Sequence, residues 1–340
     1  MTNPIDLLIA EKGVLLADGA TGTNLFAMGL EAGEAPELWN ESDPAKITAL
    51  HQGFVDAGAD IILTNSFGGT RHRMKLHNAQ DRVHELNRLA AEIARAVADQ
   101  AGRRVIVAGS VGPTGELLEP LGAMTYDEAV ESFAEQMEGL KAGGAEIAWI
   151  ETMSAPDEIR AAAEAAIRVG MPYTFTASFD TAGRSMMGLH PKDIHGVATG
   201  LAQAPVAVGA NCGVGASDIL SSLLDMSAAA PDATIIVKGN CGIPEFRGAT
   251  IHYSGTPELM ADYVRMAVDG GARIVGGCCG TSFVHLRAMR EALDAHTKGA
   301  RPTVDDVVAR IGPLRNKMAD QSGGTGETSE ARRERRRSRG

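Results

Sequence analysis

The chain has 340 residues, a net charge of −11 and four cysteines, long enough for one large hydrophobic core or two small ones. No apolar run reaches the ~18 residues of a membrane-spanning helix, the N-terminus lacks a signal-peptide layout, and an acidic body argues against nucleic acid as a partner. Four cysteines are too few for a disulfide scaffold of this size, so the expectation is a cytoplasmic protein whose reduced thiols serve metal, catalysis or packing.

Strand-like runs rich in Val and Ile recur along the chain, each followed by a helical pattern. They are VLLADGA (14–20), DIILTNSF (60–67), RVIVAGSV (104–111), EIAWIET (146–152), YTFTASF (173–179), VAVGANC (206–212), TIIVKGNC (234–241) and ARIVGGCC (272–279). Between them lie amphipathic stretches such as PDEIRAAAEAAIRVG, with apolar residues at helical spacing and Gly at the stop. Continuous apolar strands alternating with helices describe a parallel sheet covered on its faces. Eight such units predict a closed (β/α)8 TIM barrel. An open doubly wound sheet is the alternative, but DGATGT after the first run is not its GxGxxG fingerprint. The barrel is assigned to residues 1–318. The tail 319–340 reads as disordered and Arg-rich, with six Arg and two Glu in its last eleven residues. It is either a solvated tail or a docking segment for an acidic partner.

In a barrel the chemistry sits at the C-terminal ends of the strands. Reading off those ends gives Asp18, Asn65, Ser110, Glu151, Ser178, Cys212, Cys241, Cys278 and Cys279. All four cysteines of the chain fall in that short set, and the ends of the sixth and eighth strands can converge over the barrel mouth. Thiolates from Cys212, Cys278 and Cys279, with no local His, predict a Zn2+ site with one open position; buried packing and a redox dithiol are the alternatives. Three thiolates leave such a zinc too electron-rich to activate water well. It suits a fourth thiol held as thiolate, whereas a free thiol with a pKa of ~8.5 is mostly protonated at neutral pH. The expected reaction is attack by a substrate thiolate on an electrophilic carbon.

Such a thiol needs holding at its other end. Asp18 and Glu151 offer negative charge for an ammonium, and N–H groups of the Gly-rich turn after Asp18 suit a carboxylate, which together describe an amino-acid thiol. Each residue also has a plainer reading. Asp18 could cap the ATGTNL turn, Glu151 could be a helix-start acid before APDEIRAA, and Asn65 and Ser110, taken as further substrate-binding groups, could as easily satisfy turn backbone.

The motifs DGATGT, LTNSFGGT, ETM, GANCG and GGCCGT, in this order, resemble the homocysteine S-methyltransferases over roughly residues 10 to 298. The resemblance implies a zinc-binding barrel that transfers a methyl group to homocysteine sulfur. It carries the zinc ligands onto Cys212, Cys278 and Cys279, and homocysteine binding onto Asp18, Gly19 and Glu151. The methyl donor is betaine, S-methylmethionine, or a methyl group on a corrinoid or pterin-binding partner protein. A non-catalytic homocysteine- and zinc-binding subunit of a larger methyltransferase is the alternative. Two departures stand out. Cys241 occupies a position where the family commonly has Ala, so it is expected near the zinc but not on it. Gly68 and Thr152 stand where betaine enzymes of the family carry aromatics. A quaternary ammonium is usually caged by aromatic faces, so free betaine is expected to be a poor donor unless Trp39 or another aromatic folds over the mouth. Trp149 is expected to be buried.

Overall fold

A computed structural model describes residues 3–242, 244–247 and 250–316; the tail assigned to 319–340 lies outside these. Among the described residues the strands are β1 (Leu15–Leu16), β2 (Ile61–Leu63), β3 (Ile106–Val111), β4 (Ile147–Met153), β5 (Tyr173–Ala177), β6 (Ala207–Cys212), β7 (Ile235–Gly239), β8 (Pro244–Arg247), β9 (Thr250–Tyr253) and β10 (Ile274–Gly277). Eight of them make one parallel sheet in the order β1-β10-β7-β6-β5-β4-β3-β2. A parallel bridge from Ala17 to Ile61 joins its two edges, and the Asp18 N–H donates to the Ile61 carbonyl across the seam at 3.0 Å. The (β/α)8 barrel is therefore present, with each predicted run supplying one strand. Two details differ from the expectation. β5 is followed by a 3-10 turn (Pro191–Gly196) in place of a full helix, in a Gly- and Pro-containing connection that resists helix propagation. β8 and β9 form an antiparallel hairpin outside the barrel, between β7 and the helix Pro257–Asp269.

Strand alternation sorts the barrel's residues. Ile106 and Ala108 of β3, Ile147 and Trp149 of β4, and Ile236 of β7 pack together inside, and Ile5, Leu8 and Ile9 of the helix Pro4–Lys12 join them. The intervening residues, among them Val107, Ile150 and Val237, pack outward against the helices. Continuing the inner alternation by one step reaches Ser110 on β3, Glu151 on β4 and Lys238 on β7, so the apolar floor of the barrel gives way to a polar layer. Trp149 is fully buried, as expected. Among the described residues no helix is long and apolar enough to cross a membrane.

Candidate active site

The polar layer forms the base of a cavity of about 500 Å³ that opens on the C-terminal face of the barrel. Cys212, Cys278 and Cys279 line it. Their Sγ atoms all lie within 4.8 Å of one another, and those of Cys212 and Cys279 are 3.9 Å apart. Zinc–sulfur bonds of ~2.3 Å in tetrahedral geometry separate neighbouring sulfurs by about 3.8 Å. The donor set and its spacing therefore fit one zinc ion. Cys241 is the fourth cysteine and is fully buried outside this cluster, its thiol pushed up to about 12 by burial.

The local chain path explains how two distant segments present three thiols to one point. Cys212 ends β6 with φ of +62°, and Thr152 has φ of +60°, a conformation that costs a non-glycine residue about 1–3 kcal/mol. The side chain of Asn211, the residue before Cys212, ties the end of β4 to β5. Its Oδ1 accepts from the Thr152 N–H at 2.8 Å and from Thr176 Oγ1 at 2.6 Å, while its Nδ2 donates to Thr152 Oγ1 at 2.7 Å. The register of β4 against β5 shifts between Ile150 and Met153, a bulge that re-aims side chains at a strand end. Asn240 makes a second clamp: its Nδ2 donates to the Gly213 carbonyl at 2.7 Å and its Oδ1 accepts from the Cys279 N–H at 3.0 Å. Gly280 turns the chain back with φ of +79°, where any Cβ would meet the Tyr253 ring at 2.3 Å. Tyr253, at the end of β9, lines the cavity together with Cys279.

Glu151 and Ser110 face the same cavity. Ser110 Oγ donates to Glu151 Oε1 at 2.6 Å, and burial pushes the Glu151 carboxyl up to about 7 against the pull of Lys238 and that hydrogen bond. Glu151 is thus not a helix-start acid. Asp18 does not line the cavity. Both its carboxylate oxygens are engaged beneath it, Oδ2 by the Leu63 N–H at 2.7 Å and Oδ1 by Lys238 Nζ at 2.8 Å. Gly19 lines the cavity, where a Cβ would strike the Thr281 carbonyl oxygen at 2.6 Å. Asn65 also lines it, but its amide donates to the Pro36 carbonyl and to Asn40 Oδ1, so its side chain clasps the loop after β1. Ser178 lies outside the cavity lining.

Three groups were missed from sequence. Lys238 is the central one, a buried lysine in an otherwise apolar strand. Burial lowers its pKa, but Asp18 and Glu151 outweigh that and hold it above the ordinary value, so it stays an ammonium. Asn211 and Asn240 are the others, each one residue before a cysteine. The aromatics at the mouth also differ from expectation. Trp39 is buried under Lys46, whose Nζ lies 4.3 Å from the ring centroid, and it does not reach the cavity. Phe26, Phe67 and Tyr253 do, with Phe26 53% and Phe67 37% exposed.

The model of the homocysteine S-methyltransferase family matches residues 15–293. The methionine synthase of Mycobacterium tuberculosis is 29% identical over 306 residues, covering 85% of this chain and 25% of that protein. This chain thus spans about a quarter of that relative's length. The homocysteine methyltransferase MmuM from Escherichia coli is similar in structure: its oxidised form gives a TM-score of 0.71 and its metallated form 0.70, each at 25% identity over 85% of this chain and 99% of that one.

Proposed function

This chain belongs to the homocysteine S-methyltransferase family, and from that premise we propose that it forms methionine by methylating the thiol of homocysteine, with a zinc ion held by Cys212, Cys278 and Cys279. The observation that carries the reading is the meeting of three thiols with the Glu151 carboxylate across one cavity. When bound, zinc supplies a fourth position at which a thiol is kept as thiolate at neutral pH. The chain's own residues do the rest. Asn211 and Asn240 keep the thiols converged, Glu151 binds the acceptor's ammonium, and Ser110 fixes the Glu151 carboxylate so that it points at the cavity.

The donor we infer is a small cationic methyl compound, a quaternary ammonium or a sulfonium. What supports this reading is that Phe26, Phe67 and Tyr253 line the cavity, since an aromatic face contributes ~0.5–2 kcal/mol toward a desolvated cation. A donor delivered by a separate protein is the second reading, favoured by the likeness to one quarter of a longer methionine synthase. The test is a donor screen on the purified zinc protein with homocysteine, following methionine. Turnover with betaine or S-methylmethionine alone supports the small-donor reading. Turnover only with a methylcorrinoid or methylpterin protein overturns it in favour of the second.

A further inference from the structure

The base of the cavity carries one charge that no role above uses. Lys238 sits on β7 facing the barrel interior, its side chain 3% exposed, and it lines the cavity together with Glu151 and the cysteines. An ammonium has three N–H donors. Among the described residues, Lys238 Nζ makes one hydrogen bond, to Asp18, and it lies 5.9 Å from the Trp149 ring centroid. Two donors remain in a site where an unpaired charged donor is costly. Asp18, by contrast, has both oxygens engaged and no face on the cavity. The group presented to a ligand at this point is the lysine, and the aspartate is its buried counter-ion.

We propose that Lys238 binds the α-carboxylate of the amino-acid thiol, and that Asp18 acts through it as a positioning residue. This rests on the proposed acceptor. A homocysteine zwitterion whose sulfur lies at the cysteine cluster carries its ammonium and carboxylate on one carbon. Glu151 on β4 and Lys238 on β7 are an anion and a cation that line the same cavity from strands three positions apart in the barrel, and their signs match the two charged groups on that carbon. In the Gly-rich turn the Ala20 N–H is already taken, donating to the Thr281 carbonyl at 3.1 Å. Lys238 also offsets the acidic pair Asp18 and Glu151 at a site that receives a carboxylate: without that lysine the acceptor's carboxylate would face like charge from these two side chains.

The experiment is calorimetry on the zinc-loaded protein with homocysteine, 3-aminopropane-1-thiol (homocysteine without its carboxylate) and 4-mercaptobutyrate (homocysteine without its ammonium). The wild type should bind homocysteine about 10- to 100-fold more tightly than the aminothiol, the range for one charge-assisted hydrogen bond. Lys238→Met should lower homocysteine affinity to that of the aminothiol and leave the aminothiol itself within about twofold, with zinc content unchanged. Lys238→Arg should restore part of the discrimination. Should Lys238→Met fold poorly because Asp18 is left unpaired, the double variant Lys238→Met/Asp18→Asn removes both charges and carries the same readout. Equal losses for homocysteine and the aminothiol, or unchanged homocysteine affinity, would overturn the assignment of Lys238 alone. A wild-type zinc protein that binds no homocysteine would overturn the proposed function and this assignment with it.

Discussion

Replacing Glu151 by Gln removes a buried charge while keeping the shape of the side chain and an oxygen able to accept from Ser110 Oγ. Burial raises the Glu151 carboxyl from 4.5 to about 7, so the fold favours the neutral acid. The sign follows from linkage: this group's contribution to stability is fully present below the unfolded pKa of ~4.3 and is lost as pH rises through the folded value. At about 1.4 kcal/mol per pKa unit, the ionised carboxylate destabilises the ligand-free protein by about 3–4 kcal/mol above neutrality. In denaturant titrations of reduced, metal-free protein, Glu151→Gln should therefore be the more stable form at about pH 8, and the gap should close toward about pH 5. The same variant should bind homocysteine about 10- to 100-fold more weakly at about pH 8, because a charge-assisted contact to the ammonium is lost. A functional group held at a cost to stability has this signature. A variant destabilised at alkaline pH, or one with wild-type homocysteine affinity, would refute the reasoning.

The metal site makes a sharper set of expectations. Cys212→Ser, Cys278→Ser and Cys279→Ser should each bring zinc well below one ion per chain by metal analysis, whereas Cys241→Ser should retain it, since Cys241 lies outside the cluster. Phe67→Ala should raise the KM for a cationic donor about 2- to 30-fold in steady-state assays, the range of one aromatic face, with zinc content and homocysteine affinity unchanged.

The barrel was legible because its strands are continuous apolar runs ending in Asn, Ser, Glu or Cys, and that one regularity also brought Cys212, Cys278, Cys279, Glu151 and Ser110 to the same face. What stayed hidden depended on geometry within that face. The bulge after Ile150 and the positive φ of Thr152 and Cys212 have no local signature, and the Asn211 side chain that holds Thr152 is a tertiary contact. Lys238 was readable in principle: counting by twos from Ile236 places it on the inner face, where a lone lysine in IIVKGN demands an anion. Asp18, at a strand end like the groups that line the cavity, could not be told from them until Leu63 and Lys238 were seen to occupy its oxygens. Trp39 failed as a mouth aromatic because the segment after β1 folds it inward under Lys46. The hairpin β8–β9, which delivers Tyr253, occupies a stretch that reads as an ordinary loop between strand and helix.

Zinc-edge X-ray absorption, recorded on the zinc-loaded protein before and after homocysteine is added, tests the central claim most directly. The account predicts coordination by three sulfurs and one lighter atom in the free protein, rising to four sulfurs at ~2.3 Å with homocysteine. A spectrum that keeps three sulfurs under saturating homocysteine, or one dominated by nitrogen and oxygen from the start, would contradict it.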